Sequence, residues 1–139
     1  MPDTTLLQHG DLMPHFTVVT VQGDTFSYGA IWQHKNLALV TLPAVAAYPH
    51  PSDRADAFCE RKSVCVVTRD ALAGVPSPGA LIADKWGEIV HVAAPGRSDE
   101  LPTLSELLEW LEYVERRCPE CEGRRSRHPR AVGRQAHLC

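Results

Sequence analysis

Leu37-Ala38-Leu39-Val40-Thr41-Leu42 places five apolar residues around a single threonine, with none of the alternation expected of a strand that faces water on one side. A run of this length and character suits a strand covered on both faces. Ser63-Val64-Cys65-Val66-Val67-Thr68 has the same character, and Pro43 ends the first run. Between the two lies Arg54 to Lys62, a short helix whose start is marked by Ser52 or Asp53, either of which can accept hydrogen bonds from free N–H groups of the first turn. Buried strands joined through a helix imply an α/β sheet with helices packed on it.

The flanking segments extend this order. Met13 to Phe26 places β-branched residues on either side of Gln22-Gly23-Asp24 and reads as a hairpin. Gly79-Ala80-Leu81-Ile82-Ala83 and Glu88-Ile89-Val90-His91-Val92-Ala93 flank Asp84-Lys85-Trp86-Gly87 as a second hairpin. Thr103-Leu104-Ser105-Glu106 has the capping-box pattern, and Leu104, Leu107, Leu108, Leu111 and Val114 repeat on one face of the helix that follows. Trp110 and Tyr113 fall off that stripe and suit either the edge of the core or a dimer contact. Beyond Gly123 apolar periodicity is lost, so the reading is one domain over residues 1–117 and a basic appendage over 118–139.

Within this order, Gly10 to Phe16 followed by Gln22-Gly23-Asp24 resembles the opening of peroxiredoxins and related redoxins, and Leu39 to Pro43 resembles their central strand ending in proline. Ser77-Pro78-Gly79-Ala80-Leu81-Ile82-Ala83-Asp84-Lys85-Trp86-Gly87 is similar to the thioredoxin-fold segment in which a cis proline starts a strand that runs into Asp-x-x-Gly. The resemblance covers most of residues 10–117. It implies a thioredoxin-like fold, a central mixed sheet flanked by helices with an N-terminal β-hairpin extension, and a cis peptide bond at Pro78. Peroxiredoxins carry Pro-x-x-x-Thr/Ser-x-x-Cys, whose cysteine reacts with peroxide. Counted from Pro43, the Thr position is Ala47 and the cysteine position is His50. Tyr48-Pro49-His50-Pro51 offers no Cys-x-x-Cys in its place. An imidazole cannot become a sulfenic acid and then a disulfide, so the family's peroxidase cycle cannot run at the degenerate His50 position.

The thiols lie elsewhere. Five cysteines are an odd number, so they cannot all pair within one chain. Cys118-Pro119-Glu120-Cys121 is the chain's one Cys-x-x-Cys, with three readings: a redox dithiol, half of a zinc site, or a surface pair with neither role. As catalytic thiols, Cys118 and Cys121 would exchange with a protein or small-molecule disulfide, one attacking and the other resolving. As zinc ligands they would need His128 and Cys139 or His137 from the tail, or a second chain's pair. No other cofactor is implied. Cys65 reads as a small buried apolar residue, Cys59 as a reduced helix thiol that could meet Cys65 if the helix packs over that strand, and Cys139 as a site of adventitious intermolecular oxidation.

The net charge of −3 is the difference of two unlike segments. Residues 1–122 hold nine Lys and Arg against all 17 Asp and Glu, a net of −8, while the last 17 residues hold five Arg and no acid. That tail has no aromatic residue to stack on bases and few charges, which argues against nucleic acid as a partner and for contact with the acidic body of its own or a neighbouring chain. A homodimer is compatible with these features. There is no apolar run long enough for a membrane helix, and Met1 to Gly10 is mixed and polar, so the expected compartment is the cytoplasm with thiols mostly reduced.

Overall fold

The computed structural model describes residues 6–116. The long apolar run becomes β3 (Asn36–Thr41), buried at every position. It has the sheet's central place because no face of it can be left to water. The elements before it are the hairpin strands β1 (Thr17–Val19) and β2 (Thr25–Ser27), and after it come α1 (Ala55–Glu60), β4 (Ser63–Thr68), β5 (Gly79–Ala83), β6 (Ile89–Ala93) and α2 (Leu104–Arg116). The larger sheet has the order β4-β3-β5-β6, with β3 parallel to β4 and antiparallel to β5, and β5 antiparallel to β6. It is therefore a mixed sheet flanked by helices, and β1 and β2 form the small antiparallel N-terminal hairpin.

Alternate residues of β3 serve two apolar layers, as the two-residue repeat of a strand requires. Ala38, Val40 and Leu42 face one cluster with Phe58 of α1 and the leucine stripe of α2. Leu37 and Leu39 face the other with Val18, Tyr28 and Ile31. Both helices thus cover one face, and the hairpin with the segment after it covers the other.

Local chemistry explains the ends. Thr103 and Glu106 form a reciprocal cap, the Thr103 N–H donating to Glu106 Oε1 at 2.8 Å and the Glu106 N–H to Thr103 Oγ1 at 3.1 Å. The β5–β6 turn is held by Asp84 Oδ1, which accepts from the N–H groups of Trp86 and Glu88, and Gly87 supplies the positive φ of 91° that the turn needs. The start of α1 differs from expectation. Pro51 opens a 3-10 turn over Pro51–Arg54, which draws Ser52 and Asp53 inside the helical segment, and neither caps it through its side chain. Proline preorganises the first helical position, so the turn begins ahead of both candidate caps.

Candidate functional site

β3 ends at Thr41, and the chain then runs through Pro43 into the loop that reaches His50 and the 3-10 turn. Three neighbours hold this loop. The Thr41 hydroxyl donates to the carbonyl of Pro76, and it lies 3.3 Å from that of Gly79, on either side of the cis Ser77–Pro78 bond. Gly79 is required here, because a methyl group would collide with the Pro76 carbonyl and approach Pro76 Cγ to 2.8 Å. Arg69, one residue past β4, donates to the Pro43 carbonyl at 2.7 Å. The Tyr48 hydroxyl donates to the Pro102 carbonyl at the foot of α2, and burial pushes its pKa well above the ordinary tyrosine value of 10.0. It remains a neutral donor.

His50 is exposed and stands immediately before the first helical turn after β3. Gln22 from the β1–β2 turn reaches it. The Gln22 amide nitrogen lies 3.4 Å from His50 Nδ1 and 3.3 Å from Ser52 Oγ. An amide nitrogen can only donate, so in this contact Nδ1 would be the acceptor. The hairpin is placed for this by its attachment to β4, through Val21 N–H to the Val67 carbonyl at 2.9 Å and Thr68 Oγ1 to the Val19 carbonyl at 2.7 Å. The loop from Pro43 to His50 contains no sulfur, so its residues can bind and orient but cannot carry thiol chemistry.

Beside this loop a cleft of about 320 Å³ opens between α1 and β4, lined among others by Gln22, Lys35, Ser52, Cys59 and Cys65. Cys65 packs against the helix-side core as a free thiol, and burial pushes its pKa up to about 12. At neutral pH it is protonated and inert. Cys59 is half-buried in the last turn of α1. It does not pair with Cys65, which is free.

Cys118, Cys121, His128, His137 and Cys139 lie outside the described residues, and so does the appendage 118–139 as a whole. Among the described residues there is no group of three or more side chains that could hold a metal ion, and no helix is long and apolar enough to cross a membrane.

A second, larger cleft of about 560 Å³ lies between β6 and α2. His91 stacks on Trp110 with ring centroids 4.1 Å apart and planes 13° apart, and Tyr113 meets Trp110 edge-on at 5.7 Å. Burial lowers the His91 pKa from 6.5. Trp110 and Tyr113 stand out in sequence as departures from the leucine stripe. Their partner His91 gives no such signal, because it occupies an ordinary strand position. Arg69 likewise gives none, since its contact with Pro43 joins two strand ends 26 residues apart.

No family model matches the chain, and no curated protein matches its sequence. Solved structures do match its fold. AhpC of Mycobacterium bovis aligns with a TM-score of 0.63 and 17% identity, over 85% of this chain and 96% of that one. The mitochondrial 2-Cys peroxiredoxin of Plasmodium falciparum aligns at 0.56 and 12% identity, over 77% and 94%. The thioredoxin domain of a thiol-disulfide oxidoreductase from Bacteroides vulgatus aligns at 0.53 and 16% identity, over 78% and 99%. The protein has the peroxiredoxin-like thioredoxin fold.

Proposed function

We propose that this peroxiredoxin-like chain is a thiol–disulfide redox protein whose reactive sulfurs are Cys118 and Cys121. The observation that carries the reading is the composition of the fold's loop after β3. His50 occupies the start of the helical segment, where the peroxiredoxin resemblance places a reactive cysteine, and no sulfur lies between Pro43 and Pro51. Cys65, the free thiol of the described residues, is kept protonated by burial. The Cys-x-x-Cys spacing of Cys118-Pro119-Glu120-Cys121 suits a dithiol that closes on itself.

In the cycle, the thiolate of one cysteine of the pair attacks a sulfur of a substrate disulfide. A mixed disulfide forms and the substrate's other sulfur leaves as a thiolate. The second cysteine of the pair then attacks the mixed disulfide, releasing the substrate as a dithiol and leaving a Cys118–Cys121 disulfide. Two electrons pass from the pair to the substrate. The substrate class is a protein or small-molecule disulfide, and a dithiol must regenerate the pair. The solved thioredoxin-fold neighbours include a thiol-disulfide oxidoreductase domain as well as peroxiredoxins, which agrees with chemistry of this class.

The test is reduction of a small aromatic disulfide by the prereduced full chain. Wild type is expected to release two thiolates per Cys118–Cys121 pair oxidised, and Cys118→Ser and Cys121→Ser are each expected to lose that two-electron reaction. Unchanged reaction in both variants would overturn the reading.

A further inference from the structure

We propose that the open edge of β4 is a strand-addition site, which takes the carboxyl-terminal segment of a partner protein as an extended strand antiparallel to β4. The site needs no sulfur chemistry and stands apart from the redox reading above.

β4 is an edge strand, since the sheet order is β4-β3-β5-β6. Successive residues of a strand turn their N–H and C=O groups to opposite sides. Lys62 and Thr68 turn their carbonyls to the β3 side, accepting from the N–H groups of Asn36 and Leu42, each at 2.9 Å. Ser63, Cys65 and Val67 therefore turn theirs outward. Val67 shows this directly, because its carbonyl accepts from the Val21 N–H at 2.9 Å, and beside it Thr20 bridges antiparallel to Thr68. The chain then leaves the edge in a turn closed by the Gly23 N–H on the Thr20 carbonyl at 2.9 Å. The next strand position of the sheet is thus half filled. Thr20 and Val21 occupy one half, and the α1–β4 cleft of about 320 Å³ lies along the other, beside Ser63 and Cys65. Among the described residues none hydrogen-bonds to the Cys65 N–H or to the carbonyls of Ser63 and Cys65.

The two edges of the sheet are finished differently. On β6, the Ile89 N–H donates to the Asp11 carbonyl and the Ile89 carbonyl accepts from Gly10, each at 2.8 Å, and a register shift interrupts the pairing with β5. Covered groups and irregular pairing keep an edge from joining other chains. β4 carries no charge and no proline, and its register with β3 runs unbroken from Ser63 to Thr68.

The cleft also specifies its guest. Its open groups are backbone donors and acceptors at strand spacing, which an extended chain matches. Continuity with Val21 sets the antiparallel sense. A guest residue opposite Cys65 then exchanges two hydrogen bonds with it and places its side chain on the same face. Ala55, Phe58 and Cys59 of α1 wall that face, so an apolar side chain suits it. From Val67 to Ser63 the edge spans about 13 Å. The antiparallel guest ends beside Ser63, whose β3 partner Asn36 follows Lys35, and Lys35 lines the cleft. Among the described residues no carboxylate pairs with the Lys35 ammonium. The guest's terminal carboxylate supplies the opposite charge there.

Random acetylated pentapeptides with free carboxyl ends, panned on the immobilised full chain, supply the probe, and amide hydrogen exchange read by NMR locates it. In the free protein the Cys65 amide is expected to exchange about tenfold or more faster than those of Val64 and Val66, which face β3, and saturating peptide is expected to remove the difference. Panning that enriches nothing, a Cys65 amide already slow in the free chain, or slowing confined to β6 would each overturn the site. Cys65→Pro removes an outward N–H at a position where an edge strand tolerates proline, and is expected to abolish binding. Lys35→Gln leaves the edge intact. It is expected to weaken the free-acid peptide roughly two- to fivefold and to leave binding of its carboxyl amide unchanged. Equal binding of the free acid to wild type and Lys35→Gln would overturn the antiparallel placement.

Discussion

Arg61 donates to Glu112 across 3.1 Å, and the same carboxylate holds Arg116 at 3.7 Å on its other side. Through this contact two helices that share a face of the sheet are joined at their carboxyl ends, and the chain leaves α2 close to the end of α1. The Glu112 side chain is 47% exposed and that of Arg61 25%, so water still reaches the pair and screens it.

Glu112→Gln is therefore expected to lower the unfolding free energy by only about 0.5–1 kcal/mol, and by less at high salt. Urea titrations at low and high ionic strength check this. A loss of several kcal/mol would mean that the contact behaves as a buried pair.

Tyr28 is fully buried, and its hydroxyl finds no hydrogen-bond partner among the described residues. Burial, with the charge of Asp84 as a lesser cause, pushes its pKa up to about 12. A buried polar atom without a partner is a cost rather than a gain, while the ring stacks on Phe16 with planes 7° apart. Tyr28→Phe keeps the ring and is expected to leave stability unchanged or to raise it by up to about 1 kcal/mol. A lower denaturant midpoint would show that the hydroxyl is satisfied in solution.

His91 gives the fold a defined response to acid. Burial lowers its pKa in the folded state below the ordinary 6.5, so in the unfolded chain the ring takes up a proton at a higher pH than in the fold. Between those two values the unfolded state binds more protons, and stability falls as pH drops from 6.5 toward the folded value. His91→Phe keeps a ring against Trp110 and removes the titration. The variant is expected to gain on wild type as pH falls from 7.5 to 5 in matched urea titrations, and parallel curves would contradict the assignment.

The parts of the fold legible in sequence were those governed by local pattern. The unbroken apolar run at Leu37–Leu42 identifies the central strand, the Asp84–Gly87 turn identifies the β5–β6 hairpin, and the Thr103–Glu106 box marks the start of α2. The same logic misplaces the start of α1, because Pro51 begins a 3-10 turn before Ser52 or Asp53 can act as a cap. Contacts made at long sequence separation left no local signature. The Gln22 contact with His50, the Arg69 contact with Pro43 and the His91–Trp110 stack each depend on which strands lie side by side.

The most direct test of the redox pair is equilibration of the full chain in glutathione buffers of graded potential, followed by acid quench, alkylation and mass analysis of residues 118–124. A two-electron couple is expected, with the reduced-to-oxidised ratio changing tenfold for every ~30 mV. Loss of both thiols of that peptide along such a curve, abolished by Cys118→Ser and by Cys121→Ser, is the predicted result. A peptide that stays doubly alkylated at every potential, or whose thiols react only once a chelator is added, would contradict it.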